Sequence, residues 1–290
     1  MYHISVMPQE AISYLAIKPH GVYVDCTFGG GGHSRAILQA DPTVNVIAFD
    51  VDPEAFEHNR EALEKEFPDR IRFIWANFVT LGLALKKIGI QGVDGILADF
   101  GTSMHQIHYK AGFSFLKDKK LDMRMSAAHG TLTAADIVNN ASELELATIF
   151  WRYGEERFGK QIARAIVQAR AREKITTTGQ LADLIKKAAL SNKSNVHPAT
   201  RVFQALRIVV NHELEHIEGL LKQAPSILKP GGRMVCISFH SLEDRLVKQS
   251  FKEQSGILEI VTPKVIVPTA YEVAQNPSSR SAKLRAAQKI

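Results

Sequence analysis

The stretch that most constrains this chain runs from Val22 to Ser34. There an apolar run, Val22 to Val24, meets an acid, Asp25, and then four consecutive glycines, Gly29 to Gly32. A helical pattern carrying Ile37 and Leu38 begins at Ser34. Strand, glycine turn and helix in that order present backbone N–H groups at a helix start with no Cβ to hold a ligand away. Asp50 follows Gly29 by about twenty residues, at the end of the apolar run Val44 to Phe49, where a carboxylate meets ribose hydroxyls in a nucleotide-type site. The strict G-x-G-x-x-G spacing is absent. The turn alone therefore leaves a dinucleotide, S-adenosylmethionine and a tight turn packed for its own sake all open.

Beyond Val22 the pattern alternates. Strands are expected at 22–25, 44–49, 71–75 and 93–98, with helices at 34–39, 53–66 and 79–88 between them. That spacing predicts parallel βαβ units with right-handed crossovers, whose ligands gather at the carboxyl ends of the strands. Asp25, Asp50, Asn77, Phe78 and Asp99 all fall at or just past such ends. One Asp there is a common cap or turn residue; several together argue for a site. His3 to Leu15 is expected to fold back over this end of the sheet.

After Ser103 the alternation stops. Residues 104–200 hold a loop rich in Lys, Phe and Gly, then L-D-M-R-M at 121–125, then helical patterns at 141–151, 158–172 and 178–189, which reads as an all-helical insertion. The frame is expected to resume near residue 201, with one long helix through Val202, Leu206, Leu214 and Leu221, a strand from Arg233 to Phe239, a helix from Leu242 to Glu253 and two short β-rich runs in the tail. The expected organisation is thus residues 1–103 plus 201–290 as one domain and 104–200 as a second.

Charge divides along the same lines. Lys and Arg against Asp and Glu number 8 to 13 over residues 1–103, 15 to 9 over 104–200 and 13 to 8 over 201–290. The basic parts could track phosphates or be merely solvated faces. Cys26 and Cys236 sit in apolar runs and read as small core residues, which fits a reducing cytoplasm. No apolar segment approaches the about 20 residues of a membrane helix, and the first ten residues lack a signal core. His212-Glu213-Leu214-Glu215-His216 matches the H-E-x-x-H zinc-protease pattern. With no third ligand nearby, and an α/β frame foreign to that class, it reads as an accidental match and no metal is expected. No apolar stripe is long enough to demand an oligomeric partner.

Longer strings carry a resemblance. They are D-C-T-F-G-G-G-G-H-S at 25–34, D-G-I-L-A-D-F-G at 94–101, G-F-S-F at 112–115, L-D-M-R-M at 121–125, Y-G-E-E-R-F at 153–158, H-P-A-T-R-V-F-Q-A-L-R-I at 197–208, I-S-F-H-S-L-E-D-R at 237–245 and N-P-S-S-R-S-A-K-L-R at 276–285. Over nearly its whole length the chain resembles the bacterial 16S ribosomal RNA cytosine-N4 methyltransferase family, of the MraW type. The resemblance implies a class I methyltransferase, Rossmann-like α/β sheet with an inserted all-helical, RNA-recognising subdomain. It further implies S-adenosyl-L-methionine as cofactor and 16S rRNA, within the small ribosomal subunit, as partner, with no membrane involved. On matching positions it implies that Gly31, Gly32 and His33 contact the cofactor, Asp50 holds the ribose and Phe78 lies by the adenine, with Asp99 and Gln106 completing the set. The chain departs at 101–108, G-T-S-M-H-Q-I-H, where the family usually has G-V-S-S-P-Q-L-D.

The chemistry suits that expectation. A cytosine amine is a weak nucleophile, so positioning and an acceptor for its N–H bonds should carry catalysis. Asp99, with the carbonyls of Phe100 to Ser103, is the expected polarising acceptor, or else serves the cofactor. Methylation at C5 would need a cysteine nucleophile, which two strand cysteines do not offer. Phe113, Phe115 and Trp151 could stack on bases or belong to the core. A nicotinamide oxidoreductase, opposed by the absent hydride-transfer acid–base set, and a noncatalytic RNA-binding assembly protein remain the competing readings.

Overall fold

The computed structural model describes residues 4–102, 106–107, 110–128, 130–189 and 197–290. It divides into two units, Met1–Ser103 with Leu214–Ile290, and Met104–Glu213.

In the first unit, near-continuous apolar runs build a sheet buried on both faces. Its strands are β1 (Val22–Asp25), β2 (Asn45–Asp50), β3 (Ile71–Trp75), β4 (Val93–Asp99), β5 (Leu228–Ser238), β6 (Leu258–Ile260) and β7 (Lys283–Lys289). They lie in the order β3-β2-β1-β4-β5-β7-β6. The first five are parallel, and β7 runs antiparallel to both β5 and β6. Val24, Phe49, Ile96 and Cys236 face one layer, while Tyr23, Ala48, Leu97 and Val235 face the other. Helices α1 (Pro8–Leu15), α2 (Gly32–Ala40) and α3 (Pro53–Glu66) cover the second layer through Leu15, Ile37 and Leu63. Helix α4 (Leu81–Lys87) and the helices Glu213–Ile227 and Ser241–Glu253 cover the first through Leu85, Leu220 and Phe251. Both faces being covered explains why the strands read as near-continuous apolar runs.

The second unit is helical, with helices Ala134–Asn140, Glu143–Gly154, Gly159–Arg170, Thr178–Ala188 and Ala199–Asn211 around a core that includes Leu146, Phe150, Ile162, Ile166, Leu181 and Leu206. Three of these helices start on reciprocal capping boxes, Thr133 with Asp136, Ser142 with Glu145 and Thr177 with Gln180, each contributing about 1 kcal/mol. The L-D-M-R-M loop is pinned from inside. Asn211 donates to the Met123 carbonyl and accepts from the Met125 amide, both at 2.8 Å, and Asp122 grips the Arg124 guanidinium at 2.7 and 2.8 Å. Phe115 packs on the Phe203 ring at 5.0 Å and belongs to this core's edge, whereas Trp151 is 67% exposed.

Three expectations need correcting. The long helix through residues 202–221 is two helices, broken at His212, whose φ of 51° is left-handed. Its amide caps the first helix, and Arg207 pairs with Glu213 across the break at 2.8 and 2.9 Å. The helix Ala199–Asn211 therefore packs with the second unit, and the chain returns to the sheet at Leu214 rather than near residue 201. β5 starts at Leu228, with Pro230-Gly231-Gly232 accommodated by a register shift opposite Val93 to Gly95. Beyond Pro263 the tail holds a helix, Ala270–Gln275, and one strand, β7, instead of two β-rich runs; β6 ends before it. Among the described residues no helix is long and apolar enough to cross a membrane.

Gly154 sets how closely two helices of the second unit approach. A Cβ there would stand 2.5 Å from the Arg201 carbonyl oxygen, a backbone atom that cannot swing aside. Gly154→Ala is expected to destabilise this unit by about 1–3 kcal/mol, read as a lower urea midpoint of Trp151 fluorescence in a Trp75→Phe background. An unchanged midpoint would show that the two helices can separate freely.

Candidate active site

The site is assembled from the carboxyl ends of four neighbouring strands. β1 ends at Asp25, which is fully buried. Its carboxylate accepts from Ser34 Oγ at 2.7 Å and from the Thr27 amide at 3.1 Å, tying the strand end to the first turn of α2. Burial pushes the Asp25 pKa up, against the opposing pull of His33 and the Ser34 hydroxyl.

The glycines between these anchors have different duties. Gly29 and Gly31 adopt left-handed backbone, with φ of 50° and 75°, a conformation that L side chains disfavour. A Cβ on Gly31 would strike Leu63 and Phe28 at 2.8 Å, and one on Gly32 would meet Ser5 Oγ at 2.2 Å, so these two are glycines for packing. At Gly29 a Cβ would find only the Thr27 carbonyl, at 3.9 Å, and otherwise open space. Its bare backbone is what leaves room for a ligand. Below the turn, Phe28 stacks on Phe56 at 5.2 Å and meets Phe73 edge-on at 5.3 Å, a stiff floor.

Asp50 closes β2. One carboxylate oxygen accepts from the Gly29 amide and the other from the Asp52 amide, both at 2.8 Å, so Asp50 braces the glycine turn directly. An edge of the residue remains open at the rim, yet enclosure on its other sides pushes its pKa up to about 7, in spite of those two donors. Past β3, Asn77 caps a short turn by accepting from the Val79 amide and lies 3.0 Å from His216 Nδ1. The Phe78 ring stands between Phe100, at 6.2 Å, and His216, at 6.5 Å.

Asp99 ends β4. Its amide donates to Thr27 Oγ1 at 2.8 Å, one carboxylate oxygen accepts from the Gly101 amide at 3.2 Å, and the other lies 3.5 Å from His33 Nε2. His33 is 4% exposed, and neither ring nitrogen has a hydrogen-bond partner among the described residues. Burial pulls its pKa down, but Asp99 and then Asp25 outweigh that and leave it raised.

Gly31, Gly32, His33, Asp50, Phe78 and Asp99 are thus gathered on one rim of the first unit. Gln106 belongs to the second unit, where it is buried. Ser103 lies outside the described residues. The sequence reading missed Thr27 and His216. Thr27 stands in the D-C-T-F-G string, where its link to Asp99 had no signal in spacing. His216 was visible only as half of the H-E-x-x-H match, and with His212 left-handed and outside the helix the two imidazoles do not share a helical face.

An adenosyl group with a cationic centre fits this rim. Among the described residues there is open space over Gly29, an aromatic wall at Phe78, carboxylates at Asp50 and Asp99, and a buried imidazole whose nitrogens find no partner.

The sequence pattern of the MraW methylase family matches residues 1–290. This chain belongs to the MraW methylase family. It is 48% identical over 289 residues to the ribosomal RNA small subunit methyltransferase H of Cyanothece sp., covering 99% of this chain and 95% of that one. The protein of the same name from Endomicrobium trichonymphae is 49% identical over 292 residues, covering 100% and 99%. That from Geobacter sulfurreducens is 48% identical over 309 residues, covering 99% of each. In this MraW-family chain the order β3-β2-β1-β4-β5-β7-β6, with β7 antiparallel, is the class I methyltransferase sheet anticipated from the resemblance. Its two cysteines are free and buried, and burial raises both thiol pKa values.

Asp50 makes the stability of the ligand-free protein pH-dependent. Folded Asp50 holds its proton up to about pH 7, against 3.8 for an ordinary aspartate. Its stabilising contribution is therefore complete below pH 3.8 and is lost as pH rises through about 7. Relative to Asp50→Asn, the wild type should lose about 2–4 kcal/mol between those limits, measured by urea denaturation of both proteins at each pH. Parallel pH profiles would refute the assignment.

Proposed function

We propose that this chain methylates the N4 amine of a specific cytidine in the decoding region of 16S rRNA, with S-adenosylmethionine as methyl donor. The observation that carries this reading is the Asp99 carboxylate. It is 8% exposed, held by its own backbone to Thr27 and by one oxygen to Gly101, and stands at the end of the strand beside the glycine turn. Gly31, Gly32 and His33 would contact the cofactor, Asp50 would accept from its ribose hydroxyls, and Phe78 would pack on its adenine. When bound, the cofactor supplies an electrophilic methyl group on a sulfonium.

Asp99 accepts an N–H of the target amine, which localises the nitrogen lone pair that the pyrimidine ring otherwise withdraws. After transfer the nitrogen carries an extra proton, and a carboxylate oxygen of Asp99 takes it. His33 stands 3.5 Å behind the Asp99 carboxylate. Buried thiols with raised pKa oppose the alternative attack on the ring, because the thiolate is the nucleophile that C5 chemistry needs. The target base must leave its stack to reach a rim of this depth. The place of action is the bacterial cytoplasm, on small ribosomal subunits or their precursors.

Incubation with tritiated S-adenosylmethionine and small subunits should label 16S rRNA, and nucleoside digestion should recover the label as N4-methylcytidine. Asp99→Asn should lower kcat by about 10²–10⁴, while calorimetry still detects cofactor binding. Label recovered on carbon, or an Asp99→Asn variant turning over at the wild-type rate, would defeat the proposal.

A further inference from the structure

The cations of the second unit fall into two groups. Arg124 is held by Asp122, Arg207 by Glu213 and Arg170 by the Val138 carbonyl, so these serve the fold. Lys160 and Arg164 project from the helix Gly159–Arg170 and are exposed. That helix carries three cations and no acid. With Gln161, Ala165, Gln168 and Ala188 they line a surface depression of about 440 Å³, to which the described residues contribute no carboxylate. Glu143 approaches Arg164 at 3.5 Å from outside it, an exposed pair of the kind that stabilises little and exchanges readily.

An aromatic side chain flanks the basic end. A Cβ at Gly159 would stand 3.2 Å from Phe150 and 3.7 Å from the Trp151 amide nitrogen, so the backbone just before Lys160 runs beside that of Trp151. Trp151 is 67% exposed, and Leu144, two turns before it on the same helix, is 75% exposed. The core of this unit is complete without either.

We infer that the outer side of the helix Gly159–Arg170 is a docking surface for single-stranded RNA, with Lys160 and Arg164 on the phosphates and Trp151 stacked on a base. Long cations with no acid between them suit a polyanion. Gln161 and Gln168 add side-chain donors and acceptors for sugars and base edges. An exposed indole beside them offers the flat face on which an unpaired base stacks. A lipid surface would want an apolar face, and here the depression's apolar lining is two alanines. This surface deepens the ribosomal RNA reading above and rests on it.

Trp151 reports on its own site. In full-length Trp75→Phe protein it is the single remaining tryptophan, and a short unstructured oligoribonucleotide should quench its fluorescence saturably. Lys160→Gln with Arg164→Gln should weaken binding about tenfold and lower the slope of log affinity against log salt by about 1.4, two single-strand contacts. Cofactor binding by calorimetry should be unchanged, which checks that the variant folds. Trp151→Ala should weaken the single strand but not a duplex of the same sequence. Absent quenching, or a double variant that binds RNA and methylates 16S rRNA like the wild type, overturns the surface and leaves the methyltransferase reading intact. Quenching that needs these residues, in a protein that transfers no methyl group to any small-subunit RNA, upholds the surface and overturns that reading.

Discussion

Everything at the rim of the first unit follows from the position of β1, which has β2 on one side and β4 on the other. The chain leaves β1 toward β2 and β3, and later crosses back over it to reach β4. Connections that depart in opposite directions cannot both roof the carboxyl end of the strand between them, so a crevice stays open there. Two hydrogen bonds keep its walls in register: Ser34 to Asp25 fastens α2 to the end of β1, and the Asp99 amide to Thr27 fastens the end of β4 to the same turn. Because both ties end within three residues of each other, a displacement of the glycine turn is felt at Asp99, and a ligand seated on one registers at the other.

The charges at this rim divide between holding the fold and facing a ligand. Asp25 is wholly enclosed and gives its oxygens to Ser34 and Thr27, so it acts on the backbone. Asp50 has an open edge but uses one oxygen to hold Gly29 and the other to hold Asp52. Asp99 sets an enclosed carboxylate 3.5 Å from the His33 imidazole, whose nitrogens lack hydrogen-bond partners among the described residues. Concentrating acids where burial penalises their charge raises the pKa of Asp25 and Asp50, and a cationic ligand relieves that penalty. The acidic balance of residues 1–103, 13 acids to 8 bases, is the sequence-level trace of this arrangement.

How much of this was legible beforehand depended on range. The helix Pro53–Glu66 and the strand Ile71–Trp75 occupy the residues that period and cap signals indicated, because both are set by neighbours a few positions away. The break at His212 was hidden for the opposite reason. Leu206, Val209, Ile217 and Leu220 keep a helical phase through it, and what stops the first helix is a left-handed cap held by Arg207, Glu213 and Asn211, the last bonded to Met123 and Met125, 88 and 86 residues away. Gln106 was grouped with the rim by resemblance alone, and no periodicity could say that the division between units falls just before it. The Pro-Gly-Gly run in β5 looked like a strand boundary because only a partner strand reveals that a bulge can absorb it.

The helical unit shows the same separation between residues a fold requires and residues it merely displays. Its core is closed by Leu146, Phe150, Ile162 and Ile166, and its helix starts are satisfied by three capping boxes, all of which are local. Arginines that touch backbone carbonyls or buried acids are accounted for by that construction. A helix that is apolar on one side and carries Lys160 and Arg164 on the other gains nothing in stability from choosing cations over glutamate there; near its N-terminus an acid would interact better with the helix dipole. Lys160, the second residue of the helix, stands where the macrodipole favours a negative charge. A cation kept at a position where helix electrostatics disfavours it points to a demand from outside the fold, and a phosphate chain meets that demand.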